Sequence, residues 1–218
     1  MMELRDRTAE RTAASVEAAA VVPVDVDLLR EEIRKTYADV SVDPGTERIF
    51  PTGRGWAREL GYPEPELSRV PEASVASFAG VANQWLLGRV QAGEVVLDLG
   101  CGAGTDLLIA AQMTGPGGRA IGIDMTREML ARAAASAEEM GLANVLLHES
   151  LIESLPVADR SVDVVISNGV IDLVPDKEAV FDEIDRVLKP GGRLQIADVI
   201  IHHEVSEDAR QRIDLWTG

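Results

Sequence analysis

At 218 residues, with 46% hydrophobic and 27% charged side chains, the chain suffices for one large domain with a buried core, or one domain plus an N-terminal extension. A formal net charge of −16 disfavours nucleic-acid backbones and reads as a solvated acidic surface. One cysteine, Cys101, and three histidines exclude an internal disulfide framework and a Cys-rich zinc site, and no apolar run reaches the roughly 18 residues of a membrane helix.

The N-terminus, M-M-E-L-R-D-R-T-A-E-R, alternates charge and has no apolar stretch of a secretory signal, so a cytoplasmic, reduced setting is expected. Residues 1–23 read as a flexible extension. Residues 24–92 read as a helical lid or cap. Asp27 opens a helix with Leu28, Leu29, Ile33 and Tyr37 near helical spacing; a Pro- and Gly-rich loop covers 39–55; short helices are expected at 55–60 and 71–79. From Gly93 to 218 the pattern changes. Strands are predicted at 95–99, 119–124, 145–149, 162–167 and 193–200, alternating with helices near 105–113, 126–140 and 177–188. This alternation predicts an α/β fold: a Rossmann-like, doubly wound, mostly parallel sheet with ligands at the carboxyl ends of its strands.

The strongest local signal is V-L-D-L-G-C-G-A-G-T-D, Val96 to Asp106. Gly100, Gly102 and Gly104 follow the first strand and open a helix, where backbone N–H groups are free to meet an anionic group. Nicotinamide-dependent oxidoreductases also use glycine loops, but their G-x-G-x-x-G spacing needs glycine where Thr105 stands. Asp98 sits inside the strand end, and a carboxylate there suits a cationic centre better than a pyrophosphate; its competing role is to cap a neighbouring loop. Asp124 ends the second strand and suits the two hydroxyls of a ribose; its competing role is to cap the next helix, a task for which Thr126 also stands in place.

These residues, with L-P-V-A-D-R-S-V-D-V-V-I-S and R-V-L-K-P-G-G-R-L, resemble the class I S-adenosylmethionine-dependent methyltransferases over about residues 93–218. The resemblance implies S-adenosyl-L-methionine as cofactor. It implies that Asp98, Gly100, Cys101, Gly102 and Gly104 hold the methionine part, Asp124 the ribose, and Met125 the adenine face. Leu151, Ile152 and Glu153 would line the adenine edge, and Asn168 would lie beside the cofactor. The words G-I-D-M-T-R-E-M-L, S-N-G-V-I-D-L-V-P-D-K, F-P-T-G-R and S-F-A-G-V-A-N are similar to the arsenite methyltransferase branch. That branch usually carries cysteine where this chain has Gly169, and a Gly-Cys-Gly where it has Gly80-Val81-Ala82. Trivalent arsenic prefers several soft thiolates, and one cysteine cannot chelate it. The expectation is therefore a methyltransferase with a small-molecule acceptor of another kind.

Transfer from a sulfonium is an in-line displacement, and a base is needed only when the acceptor must lose a proton early. The candidates are Asp172, Tyr37, His202 and His203, with Asn168 beside the cofactor; Asp172 reads more readily as a helix-surface acid. Trp56, Tyr62, Phe78 and Trp85 are expected to anchor the lid rather than to line the acceptor pocket. No metal ligands are expected. The resemblance also implies a seven-stranded sheet, whereas five strands are legible. The remaining C-terminal strands are expected to be missing from this chain or supplied by a homo-oligomer or second chain. Alternatives are an arsenite methyltransferase-like enzyme that takes cysteines from outside this chain, and a non-catalytic S-adenosylmethionine-binding subunit.

Overall fold

The computed structural model describes residues 25–42, 50–200, 202, 206 and 212, with 41 and 42 as backbone only. The expectations for residues 1–23, for His203 and for the apolar residues near the C-terminus lie outside the described residues.

Among the described residues, four helices precede the sheet: α1 (Val26–Val42), α2 (Gly53–Glu59), α3 (Glu64–Leu67) and α4 (Glu72–Val75), followed by a 3-10 turn at Gln84–Leu86. The α/β unit then runs β1 (Val95–Leu99), α5 (Thr105–Thr114), β2 (Arg119–Asp124), α6 (Arg127–Glu139), β3 (Val145–Glu149), β4 (Val162–Asn168), a 3-10 turn (Ile171–Leu173), α7 (Lys177–Val187) and β5 (Leu188–Ala197). All pairings are parallel, in the order β3-β2-β1-β4-β5. The order reverses between β1 and β4, so the ligand crevice expected of such sheets opens at the carboxyl ends of these two strands. The three long helices and the first four strands stand within about a residue of their expected bounds, and the fifth strand is displaced.

Alternation along the strands sorts the core. Val96, Val164 and Ile166 belong to one apolar cluster with α5, whereas Leu97, Leu99 and Val165 belong to another with Val180, Ile184 and Val187 of α7. The first cluster also holds Ala57, Tyr62, Leu67, Val75, Phe78 and Trp85, so the cap and the sheet share one core.

Several boundaries differ from those expected. Helix α1 runs on to Val42, past the expected loop start at 39, because Val40 is fully buried against Ala103 and Met129. The short helices sit at Gly53–Glu59 and Glu72–Val75, with an extra turn at Glu64–Leu67 behind Pro63. Strand β5 ends at Ala197 rather than 200, because Asp198 turns its carboxylate onto the N–H groups of Ile171 (3.0 Å) and Val199 (2.8 Å). It also begins early, at Leu188, with a register shift between Val162 and Val164 that accommodates Pro190-Gly191-Gly192. Lys189 Nζ anchors this bulge by donating to both oxygens of Asp163 at 2.8 Å.

Leu97 is fully buried in the central strand. Leu97→Ala is expected to cost about 2–5 kcal/mol, read in urea as a lower midpoint with an unchanged slope; a cost below about 1 kcal/mol would contradict the packing described.

Candidate active site

A cavity of about 150 Å³ lies at the reversal point. Its floor is the loop after β1, its sides are the ends of β2 and β4 and the segment 150–153, and α1 closes it from above through Arg30, Ile33 and Tyr37. Of the residues singled out in the sequence, Asp98, Gly100, Cys101, Gly102, Asp124, Met125, Leu151, Ile152, Glu153, Asn168 and Tyr37 all line this one cavity. Gly104 and Asp172 do not line it.

Gly104 has a different task. It caps α5 at φ +91°, and a Cβ there would come within 2.9 Å of the Ala133 methyl, so it lets α5 and α6 pack closely.

Asp98 is 3% exposed. It accepts a hydrogen bond from the Leu107 N–H, while its Oδ2 is buried without a partner. Burial, followed by the charges of Asp106 and Asp124, pushes its carboxyl well above the usual carboxylate range. Asp124 is held differently. Its Oδ2 accepts from Gly102 N–H and its Oδ1 from Thr126 N–H, each at 2.8 Å. Asp124 thus braces the N–H of Thr126, the N-cap residue of α6, without capping the helix itself, and the Thr126 side chain makes no cap bond. Burial raises the Asp124 carboxyl, and these N–H donors pull it back. Each oxygen retains lone-pair capacity for a ligand hydroxyl.

Asp106 was present in the glycine-loop motif but carried no assigned role. It is 7% exposed in the first turn of α5. It accepts from Trp85 Nε1 and Tyr62 OH, each at 3.0 Å, and from Asn168 Nδ2 at 3.4 Å. Burial raises it to about 6 against these donors. Asn168 completes the network. Its Oδ1 accepts from Val81 N–H at 2.8 Å, and its Nδ2 donates to Tyr62 OH at 2.7 Å and to Ala82 O at 3.0 Å. The end of β4 is thereby clamped to the 81–82 segment of the cap. Tyr62 stacks edge-on with Phe78 at 4.9 Å, and Trp56 Nε1 donates to Gly80 O at 2.7 Å. Trp56, Tyr62 and Trp85 thus anchor the cap as expected, and Phe78 instead lines the cavity. A buried acid in the otherwise apolar T-D-L-L-I-A-A run was the sequence signal for Asp106.

Cys101 is 7% exposed, and burial pushes its thiol well above its ordinary value. Tyr37 is raised to about 12 by burial and by the charges of Asp172, Asp124 and Asp198, so at neutral pH it is a phenol and not a base. Asp172 is half-buried in the 3-10 turn and not a helix-surface acid. Burial and a hydrogen bond with the Asp198 carboxyl raise it to about 7, and its Oδ1 has no partner. Asp198 received no role in the sequence reading. His202 is exposed. Gly169 lines the cavity at φ +66°, where a Cβ would stand 3.1 Å from Val81 Cγ1. The two places where arsenite methyltransferases were expected to carry thiols therefore face each other, occupied by glycine and valine.

Comparison with known proteins agrees with this geometry. A methyltransferase-domain family model matches residues 91–217. The chain belongs to this methyltransferase family. An arsenite methyltransferase from Halobacterium salinarum is 37% identical over 98% of this chain and 58% of its own length. Another, from Aquipseudomonas alcaligenes, is 43% identical over 68% of this chain and 44% of its own. The crystal structure of an arsenic(III) S-adenosylmethionine methyltransferase from Chlamydomonas reinhardtii superposes with a TM-score of 0.62 at 34% identity, covering 67% of this chain and 51% of that one. This methyltransferase chain thus spans about half the length of the curated relatives it matches. It is a class I, Rossmann-like member of the S-adenosylmethionine-dependent group, near the arsenite methyltransferases.

Asp106 gives a pH signature. Its native carboxyl titrates at about 6 against about 4 unfolded, so between these values the native state binds more protons, and stability falls as pH rises through that window. Above it, ionised Asp106 accepts three donors. Asp106→Asn puts an amide N–H₂ among those donors and removes this titration, so its cost is expected to be larger at pH 5 than at pH 8, by about 1 kcal/mol. Urea unfolding at both pH values checks this, and an equal cost at both would count against the assignment.

Proposed function

We propose that this chain transfers a methyl group from S-adenosylmethionine to a small-molecule acceptor. The observation that carries the reading is the buried, unpartnered Oδ2 of Asp98 in the cavity wall. An orphaned carboxylate oxygen flanked by Asp106 and Asp124 favours a cationic ligand and opposes a pyrophosphate. S-adenosylmethionine carries an ammonium and a sulfonium, and the residues present fit it. Asp98 would hold the ammonium, the N–H groups opening α5 the carboxylate, Asp124 the ribose hydroxyls, and the 151–153 segment with Met125 the adenine.

When bound, the cofactor would supply a methyl group activated by its positive sulfur, for an in-line displacement in which a neutral thioether is the leaving group. The chain aligns the partners and excludes water. Asn168, fully engaged with the cap, positions the wall beside the methyl. Tyr37 keeps its proton and can donate a hydrogen bond but does not act as a base. Asp172, with Asp198 beside it, stands outside the cavity lining, so its part is indirect: its charge bears on Tyr37 at the cavity edge.

The apolar face made by Phe78, Val170, Leu173 and Val174, together with Gly169 opposite Val81, supports a carbon-based acceptor. Arsenite is the second reading, favoured by the arsenite methyltransferases among its relatives. It would need thiols from outside these 218 residues, since Cys101 is the one cysteine in the chain and is buried. A cytoplasmic location is in keeping with a single free thiol.

Calorimetric titration with S-adenosylmethionine is expected to show saturable one-to-one binding, weakened at least about tenfold in Asp98→Asn. The ligand's cation binds the ionised carboxylate, and that carboxyl is raised in the free protein. Affinity therefore falls as pH falls, and binding releases a proton, measurable as a buffer-dependent heat. Unchanged binding in Asp98→Asn would refute this assignment.

A further inference from the structure

Helix α1 brings three residues to the cavity, Arg30, Ile33 and Tyr37, spaced to share one face. Arg30 is the cation among them, and no role in catalysis or binding follows for it from the sequence motifs. Its NH2 donates to Glu153 Oε1 at 2.9 Å, and its NH1 stands 4.0 Å from Asp27 Oδ1. Its Nε is buried and has no hydrogen-bond partner. The guanidinium side chain is 27% exposed and the Glu153 side chain 12%. Four helical positions on, Arg34 Nε donates to Met125 O at 3.4 Å. Two arginines therefore fasten α1 to the two segments, 151–153 and 124–126, that bound one end of the cavity.

A buried N–H of a charged guanidinium without an acceptor is unfavourable unless a ligand supplies one. Glu153 holds the planar fork in one orientation, which leaves the Nε–H direction fixed. We propose that Arg30 is a cofactor-binding residue contributed by helix α1: aimed by Glu153, its Nε–H donates a hydrogen bond to an acceptor atom of the adenosine. The inference rests on the reading of the cavity as the S-adenosylmethionine site. In it Arg30 is the binding group and Glu153 the positioning residue. It makes α1 part of the binding site rather than a passive cover: the cofactor completes the bonding of Arg30, and Arg30 with Glu153 draws the helix onto the cofactor.

The test is calorimetric affinity for S-adenosylmethionine and for S-adenosylhomocysteine in the wild-type chain and in Arg30→Met, Arg30→Lys and Glu153→Gln. Arg30→Met is expected to weaken both ligands by about tenfold and by the same factor, because the contact is on the adenosine they share. Arg30→Lys keeps the charge and its partner but loses the Nε–H, and should weaken both by a similar factor. It also serves as the measured variant should Arg30→Met fail to fold, as judged by a thermal melt without ligand. Glu153→Gln should weaken both several-fold. Affinities of Arg30→Lys within twofold of wild type would overturn the proposal, as would a loss confined to S-adenosylmethionine. No binding of either ligand by the folded wild-type chain would instead overturn the cofactor reading itself, and this inference with it.

Discussion

Three carboxylates, Asp98, Asp106 and Asp124, converge on the reversal point of the sheet, the first two buried and the third partly exposed to the cavity, and everything around them serves to make that tolerable. Burying an ionised carboxylate without partners is prohibitive. The protein resolves this in three different ways. Asp106 is surrounded by side-chain donors from the cap and β4. Asp124 is given backbone N–H groups from the glycine loop and the start of α6. Asp98 has the Leu107 N–H on one oxygen and nothing on the other. The two satisfied acids are structural as well as chemical. The unsatisfied one is where a cationic ligand gains most.

The Asp106 network explains why the cap and the sheet are one body. Asn168 leaves the end of β4 and meets Val81 and Ala82, while Tyr62 and Trp85 reach into the first turn of α5. These bonds set the width of the cavity on the β4 side. Opposite, Arg30 and Arg34 set it on the β2 side through Glu153 and Met125. The site is thus framed by polar contacts that cross from the cap to the sheet, and lined between them by apolar groups.

Much of this was legible in the sequence. The strands β1, β2 and β3 stand at their expected bounds, because short β-branched runs between helical stretches allow few alternatives. Asp98 and Asp124 could be placed at strand ends because the glycine loop fixes where β1 stops. What remained hidden depends on contacts between distant segments. Nothing local says that Asp106 faces Tyr62 across 44 residues, that Arg30 meets Glu153 across 123, or that Asp198 pairs with Asp172. The end of β5 was overestimated for the same reason: V-I-I looks like continuing strand, but Asp198 is captured by the Ile171 N–H. Gly104 looked like a ligand glycine from its spacing and serves helix packing instead, since the motif shows a requirement for glycine without showing what crowds it.

The measurement that tests the account most directly is a crystal structure of this chain with S-adenosylhomocysteine. The account predicts the amino group about 3 Å from Asp98 Oδ2, with the ribose hydroxyls turned toward Asp124. A ligand seated in this cavity with its amino group elsewhere and Asp98 still unpartnered would contradict it, as would binding outside the cavity altogether.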